Sequence, residues 1–191
     1  MARRLTTLGG LLLSVGMAVA TTLAVSVPAH AQATLPTKAQ WKVDVHTAKT
    51  GSNRWLDERL QLGGTRLAIN LDIDNTSLAT HYAPGHGVPW VRHFARHASG
   101  DHLALLFNTG RLQGHGRLRG IRAQLETAGF HVTEMCGRHD GEGLVHSKQR
   151  CRQHYVDEGY TLIANIGNNR TDFVGTNYER AFRLPNYGVL G

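Results

Sequence analysis

The chain is poor in several things. It has two cysteines, Cys136 and Cys151, in 191 residues, so it can form at most one internal bridge. Aromatic residues make up 7% of the sequence, too few for a platform on which single-stranded bases would stack. Arginines are plentiful but dispersed, without the basic run that marks a nucleic-acid arm, so nucleic acid is not expected as a partner. Past the first thirty or so residues there is no internal repeat and no low-complexity tract. Acidic residues are the scarcer charge, 14 against 21 Lys and Arg, giving a formal charge of +7. That balance favours anionic partners and says nothing of the fold.

The one long apolar stretch is N-terminal. Arg3 and Arg4 precede an apolar run from Leu8 to Val27, followed by the small-x-small pattern Pro28-Ala29-His30-Ala31. This reads as a secretory signal peptide over residues 1–31, cut after Ala31. Gly9, Gly10, Ser14, Gly16, Thr21 and Thr22 interrupt the run and weaken the alternative of a retained anchor. The residues around Arg3-Arg4 support a twin-arginine signal poorly. The expected mature chain, residues 32–191, is one α/β domain secreted to the exterior or the envelope, without stable membrane insertion. It loses two arginines with the leader and keeps a charge of +5. In an oxidising compartment Cys136 and Cys151 can pair; two buried thiols are the alternative.

Hydrophobic periodicity gives an alternating order of strands and helices. Leu67-Ala68-Ile69-Asn70-Leu71-Asp72, opened by Gly63-Gly64-Thr65, reads as a buried strand. Before it, Ser52 is placed to cap a short helix carrying Trp55, Leu56 and Leu60. Helices are expected over 88–99, around Leu118–Ala128 with Gly129 as the stop, and over 148–158 with Ser147 as cap and Gly159 as the stop. Further strands are expected over 101–111, 130–136 and 160–166. Strands alternating with helices make a parallel sheet with helices on both faces the economical fold.

Polar residues then fall where such a sheet binds ligands. Asp72 and Asp74 follow the first strand, and point to one side if the pleat persists. Thr109 follows the second strand, Lys148 opens the last helix and Asp172 follows the fourth strand. Two carboxylates at a strand's C-terminal end suit a hard cation and a phosphate better than a core. A lysine at a helix start is disfavoured by the dipole and argues for a local anion. The plainer readings are a turn for Asp72 and Asp74, a helix cap for Thr109 and a solvated lysine for Lys148. His93 and His97, four apart on a helix, lack a third ligand and read as solvated.

Leu71-Asp72-Ile73-Asp74-Asn75-Thr76, Asn108-Thr109-Gly110-Arg111, Ala164-Asn165-Ile166-Gly167 and Phe182-Arg183-Leu184-Pro185-Asn186 together resemble the secreted, class B-like acid phosphatases of the haloacid dehalogenase superfamily, a group that includes the plant vegetative storage proteins. The resemblance implies a Rossmann-like fold with a minimal cap. It also implies hydrolysis of small phosphomonoesters through an aspartyl phosphate on Asp72, with Asp74 as acid and base. Thr109 and Lys148 would hold the phosphoryl group. A Mg²⁺ cofactor would be held by Asp72, the Asp74 carbonyl, Asn168 and Asp172. Arg111 could touch substrate or sit on the surface. One departure stands out: relatives carry a metal-ligating carboxylate where this chain has Asn168, a neutral and weaker oxygen ligand for a hard cation. That change keeps open a second expectation, a secreted storage-like protein without catalysis. A glycosyltransferase, which also uses Asp-x-Asp, leaves Lys148 and Asp172 unexplained. Oligomeric state is not legible.

Overall fold

The structure is a computed structural model and describes residues 34–190; the expected signal peptide lies outside them. Five strands form one parallel sheet: β1 (Leu67–Leu71), β2 (Ala104–Leu112), β3 (Glu134–Arg138), β4 (Thr161–Gly167) and β5 (Arg180–Arg183), in the order β3-β2-β1-β4-β5. The chain runs outward from β1 through β2 to β3, then crosses back to place β4 on the other side of β1. The sequence order therefore reverses between β1 and β4. A crevice at the C-terminal ends of strands opens at such a switch point.

Helices cover both faces. On one lie α2 (Ser52–Gln61), α3 (Pro89–Gly100) and α4 (Arg117–Thr127); Leu56, Phe94 and Leu125 pack with Ile69, Leu71, Leu105 and Phe107 into the main core. On the other lies α5 (Leu144–Asp157), whose Cys151 and Tyr155 pack with Ala68, Leu106, Cys136 and Leu162. Alternation along each strand divides its side chains between these two layers. The α/β reading, a Rossmann-like parallel sheet with helices on both faces, is borne out. Among the described residues no helix is long and apolar enough to cross a membrane.

Several local expectations are corrected. A further helix, α1 (Lys38–Ala48), precedes α2 and buries Trp41 and Val45, with Trp41 stacked on Tyr82. Its apolar residues Ala39, Trp41, Val43 and Val45 fall at every second position, so a 3.6-residue period does not stand out. Ser52 does not cap α2; Gly51 does, and the Ser52 hydroxyl accepts a hydrogen bond from the Trp90 indole. β2 starts later and runs further than expected, and β3 starts at Glu134, after a turn through Gly129. Ser147 does not cap α5. That helix begins one turn earlier, after Gly143, and the Ser147 hydroxyl donates to the Leu144 carbonyl. Lys148 is therefore the fifth residue of α5, not a first-turn residue, and the dipole argument for a local anion does not apply to it. β5 was not recognised as a strand because only four residues pair and their burial does not alternate cleanly.

Candidate active site

The pleat of β1 ends at Leu71, so Asp72 and Asp74 are presented by a turn and not by strand alternation. The turn is tightly tied. The Asp72 amide donates to the Ile166 carbonyl of β4 at 2.9 Å, the Ser77 hydroxyl donates to the Asp72 carbonyl at 2.6 Å, and Asn75 takes the left-handed backbone at φ 54°. Asparagine is among the few side-chain-bearing residues that tolerate that conformation.

Asp172 arrives from the 3-10 turn Arg170–Phe173 after β4. Its Oδ2 accepts from the Asn169 amide at 2.9 Å, and the Asn169 side chain accepts from the Thr171 amide in return, a reciprocal cap. Gly167 permits this approach, since a Cβ there would run into the Asp172 carboxylate. Lys148 reaches the same point from the opposite helix layer. Its ammonium donates to Asp72 Oδ1 at 2.5 Å and to the Asn108 carbonyl at 2.7 Å, and lies 2.8 Å from Asp172 Oδ1. All three charged side chains are buried.

Three asparagines inside apolar strands frame the cluster. The Asn108 amide donates to the Lys148 carbonyl at 2.8 Å, fixing α5 against β2. Asn70 donates to Asn165, and Asn165 donates to the Asp172 carbonyl at 2.8 Å, fixing the turn that carries Asp172. The sequence reading gave these residues no role. The signal was there: asparagine is depleted in strands, and three of them interrupt otherwise apolar runs.

Asp74 is held differently. Arg111 donates to it through both Nε and Nη2, at 2.8 and 2.5 Å, and the Thr80 hydroxyl donates at 2.8 Å. Arg111 is thus a site residue and not a surface one. Asp72, Asp74, Lys148, Asn168 and Asp172 all line one cleft of about 320 Å³, with Arg111, Arg138 and Leu144 on its β2–β3 side. Thr109 is not on that lining. It lies buried in β2, where its hydroxyl accepts from the Arg111 amide at 3.2 Å, so it stands behind Arg111; it caps no helix. Asn168 is buried, with its amide group donating to the Leu190 carbonyl at 2.5 Å and its oxygen 3.4 Å from the Thr76 hydroxyl. His93 and His97 lie outside the cleft, near Asn53 and Asp57 respectively.

The electrostatics separate the two first-motif carboxylates. Burial, then the neighbouring Asp172 carboxylate, push the Asp72 carboxyl up to about 6 against the pull of Lys148. Burial also acts to raise Asp74, but the hydrogen bonds from Arg111 and Thr80 prevail and hold it below the ordinary carboxylate range. Burial disfavours the Lys148 ammonium, and Asp72 and Asp172 outweigh that and hold its pKa above the usual lysine value.

The triad carries two carboxylates on one ammonium, a net charge of −1 in a buried place. Asp172 Oδ1, close as it is to Lys148, receives no well-aligned hydrogen bond. An excess anionic charge and an undirected buried oxygen beside Asp72 fit a hard divalent cation, which prefers such oxygens. Among the described residues a different group, Glu134, His154 and Glu158, brings its ligand atoms within 4.8 Å of one another. It sits at the opposite end of β3 and α5, away from the cleft.

A parallel α/β domain with a carboxylate–lysine–carboxylate cluster at its switch point has the parts of a phosphoryl-transfer enzyme. Over residues 82–190 the chain matches the model of the HAD superfamily, subfamily IIIB (acid phosphatase), and it belongs to that family. The match begins after β1, so Asp72 and Asp74 lie outside it and rest on the motif and the geometry. Comparison with curated proteins gave no match.

Proposed function

We propose that the protein is an exported, metal-dependent phosphomonoesterase acting on small phosphate esters through Asp72. The observation that carries this reading is the buried Asp72–Lys148–Asp172 cluster at the switch point, faced across the cleft by the Arg111–Asp74 pair. Membership of an acid phosphatase subfamily supports the reaction class. The basic start, apolar run and Ala29-His30-Ala31 pattern of residues 1–31, read as a signal peptide, support export.

An Asp72 oxygen attacks phosphorus, and the bond to the ester oxygen breaks. Asp74 gives its proton to that leaving oxygen, then takes one from the water that hydrolyses the aspartyl phosphate. Clamped by Arg111, Asp74 is an anion and has no proton to give. An incoming phosphoryl group competes for the Arg111 fork, which binds phosphate as readily as carboxylate. Its arrival frees Asp74 to take up, from solvent, the proton that it gives to the leaving oxygen. Lys148 exchanges its contact with Asp72 for a phosphoryl oxygen in the same step. Asp72, Asp172, Asn168 and the Asp74 carbonyl are the residues that would hold a Mg²⁺, which supplies the positive charge that lets an anionic carboxylate approach an anionic ester.

A storage-like, non-catalytic protein is the second reading, and Asn168 favours it. The neutral amide stands where the family resemblance implies a carboxylate, and it is engaged in tying down Leu190. Phosphate release from p-nitrophenyl phosphate, with Mg²⁺ and with EDTA, decides between them. Turnover that EDTA abolishes and Mg²⁺ restores is the expected result. No turnover under either condition puts the storage reading first.

A further inference from the structure

The cleft holds three cations, and their neutralisation is unequal. Lys148 lies between Asp72 and Asp172. Arg111 is paired with Asp74 through its Nε and Nη2. Arg138, at the end of β3, has no carboxylate partner among the described residues. Its Nε donates to the Gly110 carbonyl at 3.0 Å and its Nη1 to the Glu142 carbonyl at 3.2 Å. The nearby Glu142 carboxylate does not serve it, because Arg150 takes both of that carboxylate's oxygens, at 2.7 and 2.9 Å. The Arg138 Nη2 has no partner among the described residues.

A half-buried guanidinium held by two backbone carbonyls is oriented but not neutralised. Carbonyl dipoles fix its direction and leave its full charge available, and arginine loses little further freedom on binding because its fork is rigid. The carbonyl that anchors it belongs to Gly110, the residue before Arg111, so the two guanidiniums line the same side of the cleft. A phosphoryl group engaged by Arg111 and Lys148 leaves Arg138 as the remaining cation on the cleft lining, which it shares with Leu144, for the part of an ester beyond its phosphoryl group.

Resting on the phosphatase reading, we infer that Arg138 is a specificity-determining residue, and that the substrates are small phosphomonoesters whose leaving group carries a second anionic group, a carboxylate or a further phosphate, that docks on its guanidinium. The volume of the cleft, about 320 Å³, suits a compact ester of this kind.

The test compares two esters of matched length, 3-phosphoglycerate and glycerol 3-phosphate, which differ by a carboxylate in place of a hydroxymethyl group. Phosphate release is measured at saturating Mg²⁺. For the wild type kcat/KM is expected to favour 3-phosphoglycerate by tenfold or more. In Arg138→Gln that ratio falls to near one, and in Arg138→Lys, which keeps the charge but not the fork, it lies between. Because the readout is a ratio within one protein, a general loss of active enzyme cancels. A wild-type ratio near one overturns the inference whether or not either variant folds, and leaves the phosphatase reading intact. A preference that persists in Arg138→Gln overturns it as well. Hydrolysis of p-nitrophenyl phosphate but of neither ester overturns this inference alone; no hydrolysis of any of the three overturns the phosphatase reading and this inference with it.

Discussion

Removing one carboxylate and removing the lysine from the buried triad have opposite consequences, although each deletes a single charge. Asp72→Asn leaves one anion facing one cation, so the fold should be kept or slightly strengthened, while the nucleophile is gone. Phosphatase activity should drop by several orders of magnitude, with the unfolding midpoint in denaturant no lower than that of the wild type. Activity near wild type in the folded variant would remove Asp72 from the nucleophile's role. Lys148→Met leaves two carboxylates buried together with no ammonium. Breaking a buried pair this way costs about 3–5 kcal/mol, readable in the same denaturation experiment, and turnover should be lost too. If Lys148→Met proves as stable as the wild type, the cluster is solvated and the ammonium neutralises no buried charge. Asn168 combines both kinds of effect. A carboxylate there adds a unit of attraction for a cation, about 4 kcal/mol at roughly 4 Å and an effective dielectric near 20 before desolvation is subtracted. It also loses the donor that holds the Leu190 carbonyl and turns an acceptor toward it, a cost of about 1–3 kcal/mol. Asn168→Asp should therefore need less Mg²⁺ for half-maximal turnover and unfold more easily in EDTA. Coincident Mg²⁺ titrations for the two proteins would take Asn168 away from the metal.

Helix α5 carries Lys148, so whatever anchors α5 sets the position of the ammonium. Two clamps join it to β3 and the loop after it. One is the disulfide between Cys136 and Cys151, both buried, with Cα atoms 5.6 Å apart. The other is the Arg150–Glu142 pair. With the cysteines separated by 15 positions in sequence, the chain-entropy model assigns the bridge about 3 kcal/mol. Thiol labelling of the denatured, unreduced protein should find no reactive cysteine, and two after reduction. Cys151→Ser should lower stability by that order and blunt turnover through the displaced lysine. Two reactive thiols before reduction would rule the bridge out. How much of this was legible beforehand differs from element to element. β1, β4 and the stops at Gly129 and Gly159 could be read because apolar runs and left-handed glycines are local signals. The start of α5 could not, since Gly143 offers no side-chain cap and Ser147 looks like one. The four candidate motifs were legible as strand-end polar residues, and Asp72, Lys148 and Asp172 do meet. Arg111 on Asp74 and Arg138 on Gly110 were not, because an arginine's partner depends on a long side chain and on strands that pair only in the fold. The disulfide stood between, with an even count visible and the Cα separation not.

Over the whole molecule the shifted acids pull stability in two directions as pH changes. Asp72, raised from 3.8 to about 6, binds its proton more tightly in the folded state, so its contribution is full below about 4 and is lost as pH rises through about 6. Glu134 is raised too, by burial first and by Glu158, and acts in the same sense. Glu142 runs the other way. Hydrogen bonds from Arg150 lower it from 4.5 to about 2, so its contribution is present above about 4.5 and lost as pH falls toward 2; Asp74, also lowered, follows it. Stability, measured in EDTA so that no cation intervenes, should therefore be greatest in the weakly acidic range, falling gently toward neutrality and steeply below about 4. Each limb has its own variant. Asp72→Asn removes the largest titration on the neutral side, so its unfolding midpoint should fall less than the wild type's between pH 4.5 and 7. Glu142→Gln cannot gain from the Arg150 charge, so it should be weaker than the wild type at pH 6 and converge with it toward pH 2–3. Thermal unfolding followed by circular dichroism across pH 2.5–8 reads both. A wild-type profile that climbs from pH 4.5 to 7, or an Asp72→Asn profile steeper than the wild type's there, would mean that Asp72 is an ordinary solvated carboxylate. The excess buried charge that favours a divalent cation would then be absent as well.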